Sequence, residues 1–396
     1  MADYVAPRRP NPTVTTGSRG PENITTGRVV ADMSEDIYLI QPSASPFTVI
    51  TSKTRDKRKA TQRRFDWMEK DGYPRALELA ADSIVGDLVL DFVAGQGVRV
   101  ADEYVLMNTR TREQVLVQSI STDAVTVVRG IGGNEADMVS GDQLVITRAV
   151  YPDGADIGTL KSTAESEYYN YTETIRTPFG FTGRDLNTDL YGGKDRMTES
   201  KWQAIEHKKS IEYAFLFGRR HTRTGDNNHE QTFTGGLEYW IDDSVWDVSN
   251  VALSERAFIE FLEEGMREGP GGYKNGKSVK ILYHSARWGT EINGWYGDRI
   301  QMNTNDKLGG LAIGEILTAH GRVKLVHNPI FDEFHPDMAM LIDPGNVRYV
   351  YHQGRDTKLY EGRQGNGIDG LQLEWLTDCG VEVHDSPSHA ILKGLS

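Results

Sequence analysis

The chain has 396 residues, of which 38% are hydrophobic and 26% charged, with a formal net charge of −13 and one cysteine, Cys379. The lone cysteine excludes intrachain disulfides and argues against a thiolate-held zinc or iron–sulfur site, and the acidity argues against general nucleic-acid binding, because polyanions repel such a surface. No run approaches the roughly 18 apolar residues that span a membrane, and the stretch from Met1 to Pro12 has no signal-peptide core, so a protein made and first retained in the cytoplasm is expected.

The length sets a prior of roughly two to three domains, and 41 glycines point to a turn-rich, β-rich chain. Residues 1 to about 50 carry Pro7, Pro10, Pro12, Pro21, Pro42 and Pro46, with one short apolar patch from Ile37 to Ile40. Such a segment buries too little to fold alone, so it is either disordered or an arm that becomes ordered by lying on something else. A basic cluster follows: Lys53, Arg55, Lys57, Arg58, Lys59, Arg63 and Arg64, ended by the apolar anchor Phe65 to Trp67. It reads as a nucleic-acid contact or as a strap that pairs with acidic surface on the same chain or a neighbour. The acidity of the rest of the chain favours the strap.

From Ile84 to Arg148 the pattern shifts to short alternating runs at Leu88–Phe92, Tyr104–Met107, Gln114–Val117, Val125–Val128 and Gln143–Ile146, separated by turn residues. Five strands at this spacing predict a small closed β-module of about 65 residues. With only Phe92 and Tyr104 as aromatics on its strands, a packing or spacer role is favoured over stacking on sugars or bases. Tyr168, Tyr169 and Tyr171 then open a strand-like stretch running through Phe179–Gly183, its tyrosines marking either an interface or burial against the helix that follows.

That helix is expected from Asp195 to Arg220, the one long segment of unbroken helical character. Met197, Ala204 and Ile211 recur every seven residues, thickened by Ala214, Phe215 and Phe217, while Lys201, Glu206 and Lys208 remain for solvent. Asp195 and Glu199 at its start and Arg219, Arg220 and His221 at its end complement a helix dipole, and Gly218 supplies a stop. A polar loop from His221 to Glu230 and the tetrapeptide Thr234–Leu237 come next. Ser254 caps a second helix with an apolar face of Phe258, Phe261, Leu262 and Met266, broken at Gly269–Gly272, and Ser285–Tyr296 forms a third. Strands are expected at Val279–Tyr283, Val323–Val326, Met338–Ile342, Val347–Tyr351, Leu371–Leu376 and Val381–His384. Helices and strands interleave without a βαβ period, which predicts an α+β fold.

No catalytic, cofactor-binding or metal-ligating constellation stands out, so no enzyme activity, cofactor or metal is assigned. The glycines at 365, 367 and 370 match a dinucleotide fingerprint by letter, but an alternating strand follows where a helix is required, so they read as a turn. His384 and His389 lack helical ligand spacing and read as solvated or core histidines. The acidic pairs Asp242–Asp243, Glu263–Glu264 and Asp332–Glu333 read as solvated faces.

Several segments carry a shared resemblance: Ile211–Arg220 followed after a polar loop by Thr234–Trp240, with Phe65–Lys70, Val125–Gly133, Phe179–Leu186, Met340–Val350 and the end from Trp375. In this order they resemble major capsid proteins of tailed double-stranded DNA bacteriophages with the Hong Kong 97-type capsid fold, over roughly residues 25 to 396. The resemblance implies an N-terminal arm at 1–52 and an extended loop at 53–177 enlarged by the β-module at about 84–148. It further implies a peripheral domain at 178–249 with a spine helix at about 195–218, an axial domain at 250–345, and a return to the peripheral domain at 346–396.

The function so implied is structural. Pentamers and hexamers of one chain assemble in the host bacterial cytoplasm into an icosahedral virion head around double-stranded DNA, held without sequence-specific binding, with portal, scaffolding and cement proteins as partners and no membrane. Lys57, Arg58, Lys59, Arg63 and Arg64 are the expected contacts between subunits. The lysine–asparagine cross-link known in some members does not map onto this sequence. An encapsulin-type compartment shares the fold and stays open as an alternative, as does a polysaccharide-binding protein built on the β-module.

Overall fold

A computed structural model describes residues 45–54, 57–70, 72–156, 158–188, 195–242, 244–249, 254–267, 279–296, 301–302, 314–318 and 321–395. Residues 1–44, on which most of the expected arm falls, and Arg55, Asp243 and the expected breaker at 269–272 lie outside the described residues. Among the described residues the helices are α1 (Pro46–Thr54), α2 (Gly183–Leu186), α3 (Asp195–Phe217), α4 (Leu237–Trp240), α5 (Glu255–Arg267), α6 (Ala286–Tyr296) and α7 (Pro329–Phe334). They interleave with strands, and the α+β expectation holds.

The body is built on two sheets with α3 between them. At the centre of the first lies a 14-residue strand, Gly370–Val383. On one side it pairs antiparallel with Glu173–Thr182, from Glu173 opposite Cys379 to Thr182 opposite Gly370. On the other side it pairs with Val347–His352 and then with Lys358–Glu361, and Arg58–Ala60 runs parallel along the outer edge of Val347–His352. The two strands expected at 371–376 and 381–384 are therefore one, because Thr377 to Cys379 also find ladder partners on Glu173–Thr182 and Gly380 finds one on Val347–His352. Residue 177 falls inside Glu173–Thr182, a single continuous strand.

The second sheet runs Val245–Asp247, Ala390–Lys393, Ala339–Ile342, Val279–His284, Arg322–His327, Gly314–Leu317, Gln301–Met302. Two of these strands come from outside 250–345. Alternation splits its central strand between two cores. Leu282 faces α5 and α6, joining Phe258, Phe261, Leu262, Met266, Trp288 and Ile292, whereas Ile281 and Tyr283 face α3, joining Ile211, Phe215 and Leu216. The apolar face expected for α5 is buried as read, and Ser254 Oγ accepts from the Ala257 amide at 3.2 Å.

All five expected module strands are present, at Val89–Asp91, Tyr104–Asn108, Gln114–Ser121, Ala124–Val128 and Gln143–Ala149, with a sixth, Ala76–Glu78, that lies before the stretch read as the module. The order is 76–78, 143–149, 104–108, 114–121, 124–128, 89–91, and a bridge between Leu79 and Phe92 brings the two ends together. Its core of Leu77, Leu90, Leu106, Val115, Val125 and Leu144 is separate from the cores of the body. An antiparallel ribbon, Arg64–Glu69 against Ser166–Tyr171, joins the module to the body.

Two expectations are corrected. Met197 is 63% exposed, and the buried face of α3 joins the expected Ile211 and Phe215 with Leu216 and two titratable side chains, His207 and Glu212. The apolar letters alone therefore missed the two polar members of the buried face and carried the stripe back past the turns that the body covers. Residues 45–54 belong to the body rather than to an arm ending at 52. Phe47 and Ile50 of α1 are each 1% exposed in the core shared with α3, and Phe47 meets Phe215 and Tyr283 edge-on.

Candidate interaction surfaces

The basic strap is paired within its own chain. Lys57 reaches Asp356 at 2.9 Å, Arg58 reaches Glu382 at 2.5 Å, Arg63 reaches Glu230 at 3.1 Å, and Arg64 reaches Asp66 at 2.6 Å and Glu167 at 3.2 Å. Lys59 is exposed. Only Glu382, 3% exposed, is a buried partner; the others are surface pairs that leave much of the cation open to solvent.

The ribbon rests on an aromatic pad. Trp67 packs on Trp240 with centroids 5.2 Å apart and lies 6.2 Å from Tyr168. Tyr169 is covered by the guanidinium groups of Arg64 and Arg220 at 4.1 and 4.0 Å. The tyrosines thus neither bury against α3 nor stand free. Arg220 does not serve the helix dipole, because α3 stops at Phe217 and Arg220 instead donates to the Tyr169 carbonyl at 2.8 Å. The loop expected at 221–230 is mostly a hairpin, His221–Thr224 with Glu230–Phe233.

The glycines after α3 have a steric cause. The Gly236 amide donates to the Gly218 carbonyl at 2.8 Å, and a Cβ on Gly218 would lie 2.3 Å from the Ala214 carbonyl oxygen. Asn170, fully buried on the ribbon, ties these parts together: its side chain accepts from the Gly235 amide at 2.8 Å and donates to the carbonyls of Gly235 at 2.9 Å and Val381 at 2.8 Å. Nothing in the local pattern marks Asn170, since its partners are far away in sequence.

Buried titratable groups act as structural ties. Both oxygens of Glu212 accept amides of the first turn of α1, from Phe47 at 2.9 Å and Thr48 at 2.8 Å, and Asn328 Nδ2 donates to it at 2.8 Å. Burial pushes its carboxyl up to about 7, against the pull of these donors. His207 bridges Thr177 at 2.9 Å and Thr377 at 2.7 Å, and burial lowers it to about 4. Cys379 is buried and its thiol is pushed up by burial. Asp332 is more than a solvated acid: it accepts the Ala286 amide at the start of α6 at 2.6 Å and holds His327 at 2.6 Å. The turn at Gly365–Gly367 leads into the long strand, as expected.

Two concave regions and one apolar loop remain. A 640 Å³ cleft between the hairpin and the first sheet is lined by Arg63, Arg176, Arg223 and Arg355, balanced by Glu173, Asp226, Glu230 and Asp378. A 1060 Å³ hollow lies between the module and residues 160–163. On the module, Ile84, Val85 and Leu88 are 64%, 51% and 60% exposed. Their loop is held rigid by carboxylates of Asp87, Asp137 and Glu135, which accept the amides of Ile84, Val85 and Gly86, each at 2.8 Å. Among the described residues no cluster of three or more His, Cys, Asp or Glu side chains is placed to hold a metal.

The SU10 major capsid protein family matches residues 13–396. The chain belongs to that family. A major capsid protein of Pseudomonas phage PaMx41 is 20% identical over 272 residues, covering 66% of this chain and 65% of the relative, so the aligned part spans just under two thirds of that relative's length. Among solved structures, the capsid asymmetric unit of Cyanophage A-1(L) is similar with a TM-score of 0.52 at 10% identity, covering 93% of this chain and 98% of that one. At that identity the likeness speaks to fold alone, and the fold of this SU10-family chain is the Hong Kong 97-type capsid fold.

Proposed function

We propose that the chain is the major head protein of a tailed phage, and that copies of it assemble as pentamers and hexamers into an icosahedral shell around double-stranded DNA. The observation that carries this reading is the match to a capsid family along nearly the whole chain, residues 13–396. The architecture suits it. In this reading residues 1–44 are the arm, the ribbon with its module is the extended loop, the first sheet with α3 is the peripheral domain, and the second sheet with α5 and α6 is the axial domain. The strap cations at Lys57, Lys59, Arg63 and Arg64 are exposed enough to reach a neighbouring subunit as well as their own carboxylates. Portal, scaffolding and cement proteins are the partners expected of such a shell, and the host cytoplasm is its expected place of assembly.

Electron microscopy of the purified protein and of the native particle tests the reading. Closed shells containing DNA are expected. Shells loaded with an enzyme instead of DNA make it an encapsulin-type compartment, and a monomer or small oligomer that never forms shells overturns the proposal. Deleting residues 1–44 is expected to leave a soluble subunit but no closed shells, and normal shells from that variant remove the arm from the assembly scheme.

A further inference from the structure

A ring of charged groups joins the ribbon to the body. On the ribbon, Glu69 accepts from Trp67 Nε1 at 2.9 Å and from the Asp385 amide at 3.2 and 3.3 Å. His384 stands between two carboxylates, with Nδ1 3.4 Å from Glu69 and Nε2 2.6 Å from Glu382. The other oxygen of Glu382 takes Arg58 Nη1 at 2.5 Å, and Arg58 Nη2 returns to the ribbon at the Asp66 carbonyl, 3.0 Å away. Two carboxylates face two cations, and the ring is neutral only when His384 carries its proton.

We propose that Glu69, His384, Glu382 and Arg58 form a protonation-sensitive clamp that fixes the angle at which the ribbon, and with it the six-stranded module, stands on the body. Three observations support a clamp over an incidental ion pair. Asp385 is held at φ +52°, a left-handed conformation uncommon for residues other than glycine, and its amide is fixed by Glu69 from the ribbon. The module's own core is complete and separate, so its orientation is set at the ribbon's root. Beside the clamp, the aromatic pad of Trp67, Trp240 and Tyr168 and the buried Asn170 hold the ribbon without any charged group, so opening the clamp loosens the ribbon without detaching it.

The neighbouring groups do not replace His384. Arg348 lies opposite Glu382 in the ladder, and the Asp385 carboxylate takes Asn346 Nδ2 at 3.3 Å. His389, lowered by burial to about 4, is neutral, with Nδ1 accepting the Asp343 amide, and Lys280 donates to the carbonyls of Gly265 and Ser388. Burial opposes the charge on His384, but hydrogen bonds to Glu382 and Glu69 raise it to about 9 from an ordinary 6.5. Both carboxylates are held below their ordinary 4.5 by their donors, although burial works against it. A raised histidine stabilises fully below 6.5 and loses that contribution as pH rises through about 9; the carboxylates open the clamp only below their usual range.

The test is hydrogen exchange of the full-length protein between pH 7 and 10, corrected for intrinsic rates, in peptides covering 64–69 and 166–171, with 143–149 of the module as internal control. In the wild type, ribbon protection is expected to fall about tenfold through pH 9 while the module stays level. His384→Gln is expected to show low ribbon protection at every pH and no step. Level wild-type protection to pH 10, or the same step in His384→Gln, overturns the clamp. If His384→Gln also loses protection in the body, Glu69→Gln reads the same ribbon with the body intact, and an unchanged step there equally overturns it. The measurement reads a single chain and holds whether or not shells form.

Discussion

The module and the body around α3 are both sheets over a buried apolar core, yet they are held by different kinds of contact. In the module, every strand of the sheet comes from the single stretch 76–149, two of its five pairs are between consecutive strands, as in Gln114–Ser121 with Ala124–Val128, and the sheet carries its own core. In the body, neighbours come from opposite ends of the chain. Arg58–Ala60 pairs with Val350–His352, and Glu212 caps a helix that begins at Pro46. The module is therefore a removable unit, whereas the body closes only when residues near 47 and near 390 are both in place.

The largest test of that contrast is truncation. Deleting residues 1–44 spares α1, but deleting residues 1–54 takes Phe47 and Ile50 out of the shared core. Losses of this kind cost about 2–5 kcal/mol per side chain, so the longer deletion is expected to remove more than about 5 kcal/mol and leave the body unfolded in denaturant titration. A cooperative, stable body without α1 breaks the comparison. Next in size is Leu106→Ala in the module, where Leu106 is fully buried. A loss of about 2–5 kcal/mol is expected, confined to module peptides in hydrogen exchange, with body peptides unchanged. Loss of protection in both regions means they fold as one.

Glu212 sharpens the comparison from the body's side. Its carboxyl sits at about 7 in the folded chain against an ordinary 4.5, so the folded state holds a proton that the unfolded state releases. Stability from this group is complete below 4.5 and is lost as pH rises through 7, a swing of roughly 3 kcal/mol. Denaturant midpoints of the wild type and Glu212→Gln, compared from pH 5 to pH 8, are expected to converge toward the alkaline end. Parallel curves mean that Glu212 is ionised throughout and that the amides of α1 outweigh its burial.

What was legible in the sequence follows the same division. Alternation marked the module's strands and helical spacing marked the apolar face of α5, because each depends on a local period. The fold itself was reached by resemblance at Ile211–Arg220 and Thr234–Trp240, since no period in those residues specifies a capsid. Three ties in the body were illegible: Asn170, Glu212 and His384 look like ordinary surface letters, and each is buried or clamped by partners brought from far away in the chain. Met197 was misread for the complementary reason. An apolar letter on a seven-residue spacing says nothing about whether the body extends far enough to cover it.

The smallest effect on the folded chain is expected at the strap, and it separates stability from assembly. Arg58 is set aside because its partner Glu382 is buried, and removing the cation strands a carboxylate. Lys57, Arg63 and Arg64 make exposed pairs, and Lys59 is open to solvent, so changing all four to glutamine is expected to leave the unfolding midpoint within error. If the same cations meet acidic surface on a neighbour, the variant assembles more slowly, and the salt dependence of wild-type assembly flattens with it, because screened attraction is what has been removed. If shells form at the wild-type rate and only their DNA content falls, the cations face the packaged polyanion. In that event the strap belongs to the inner wall, and an acidic chain keeps one basic edge for its cargo.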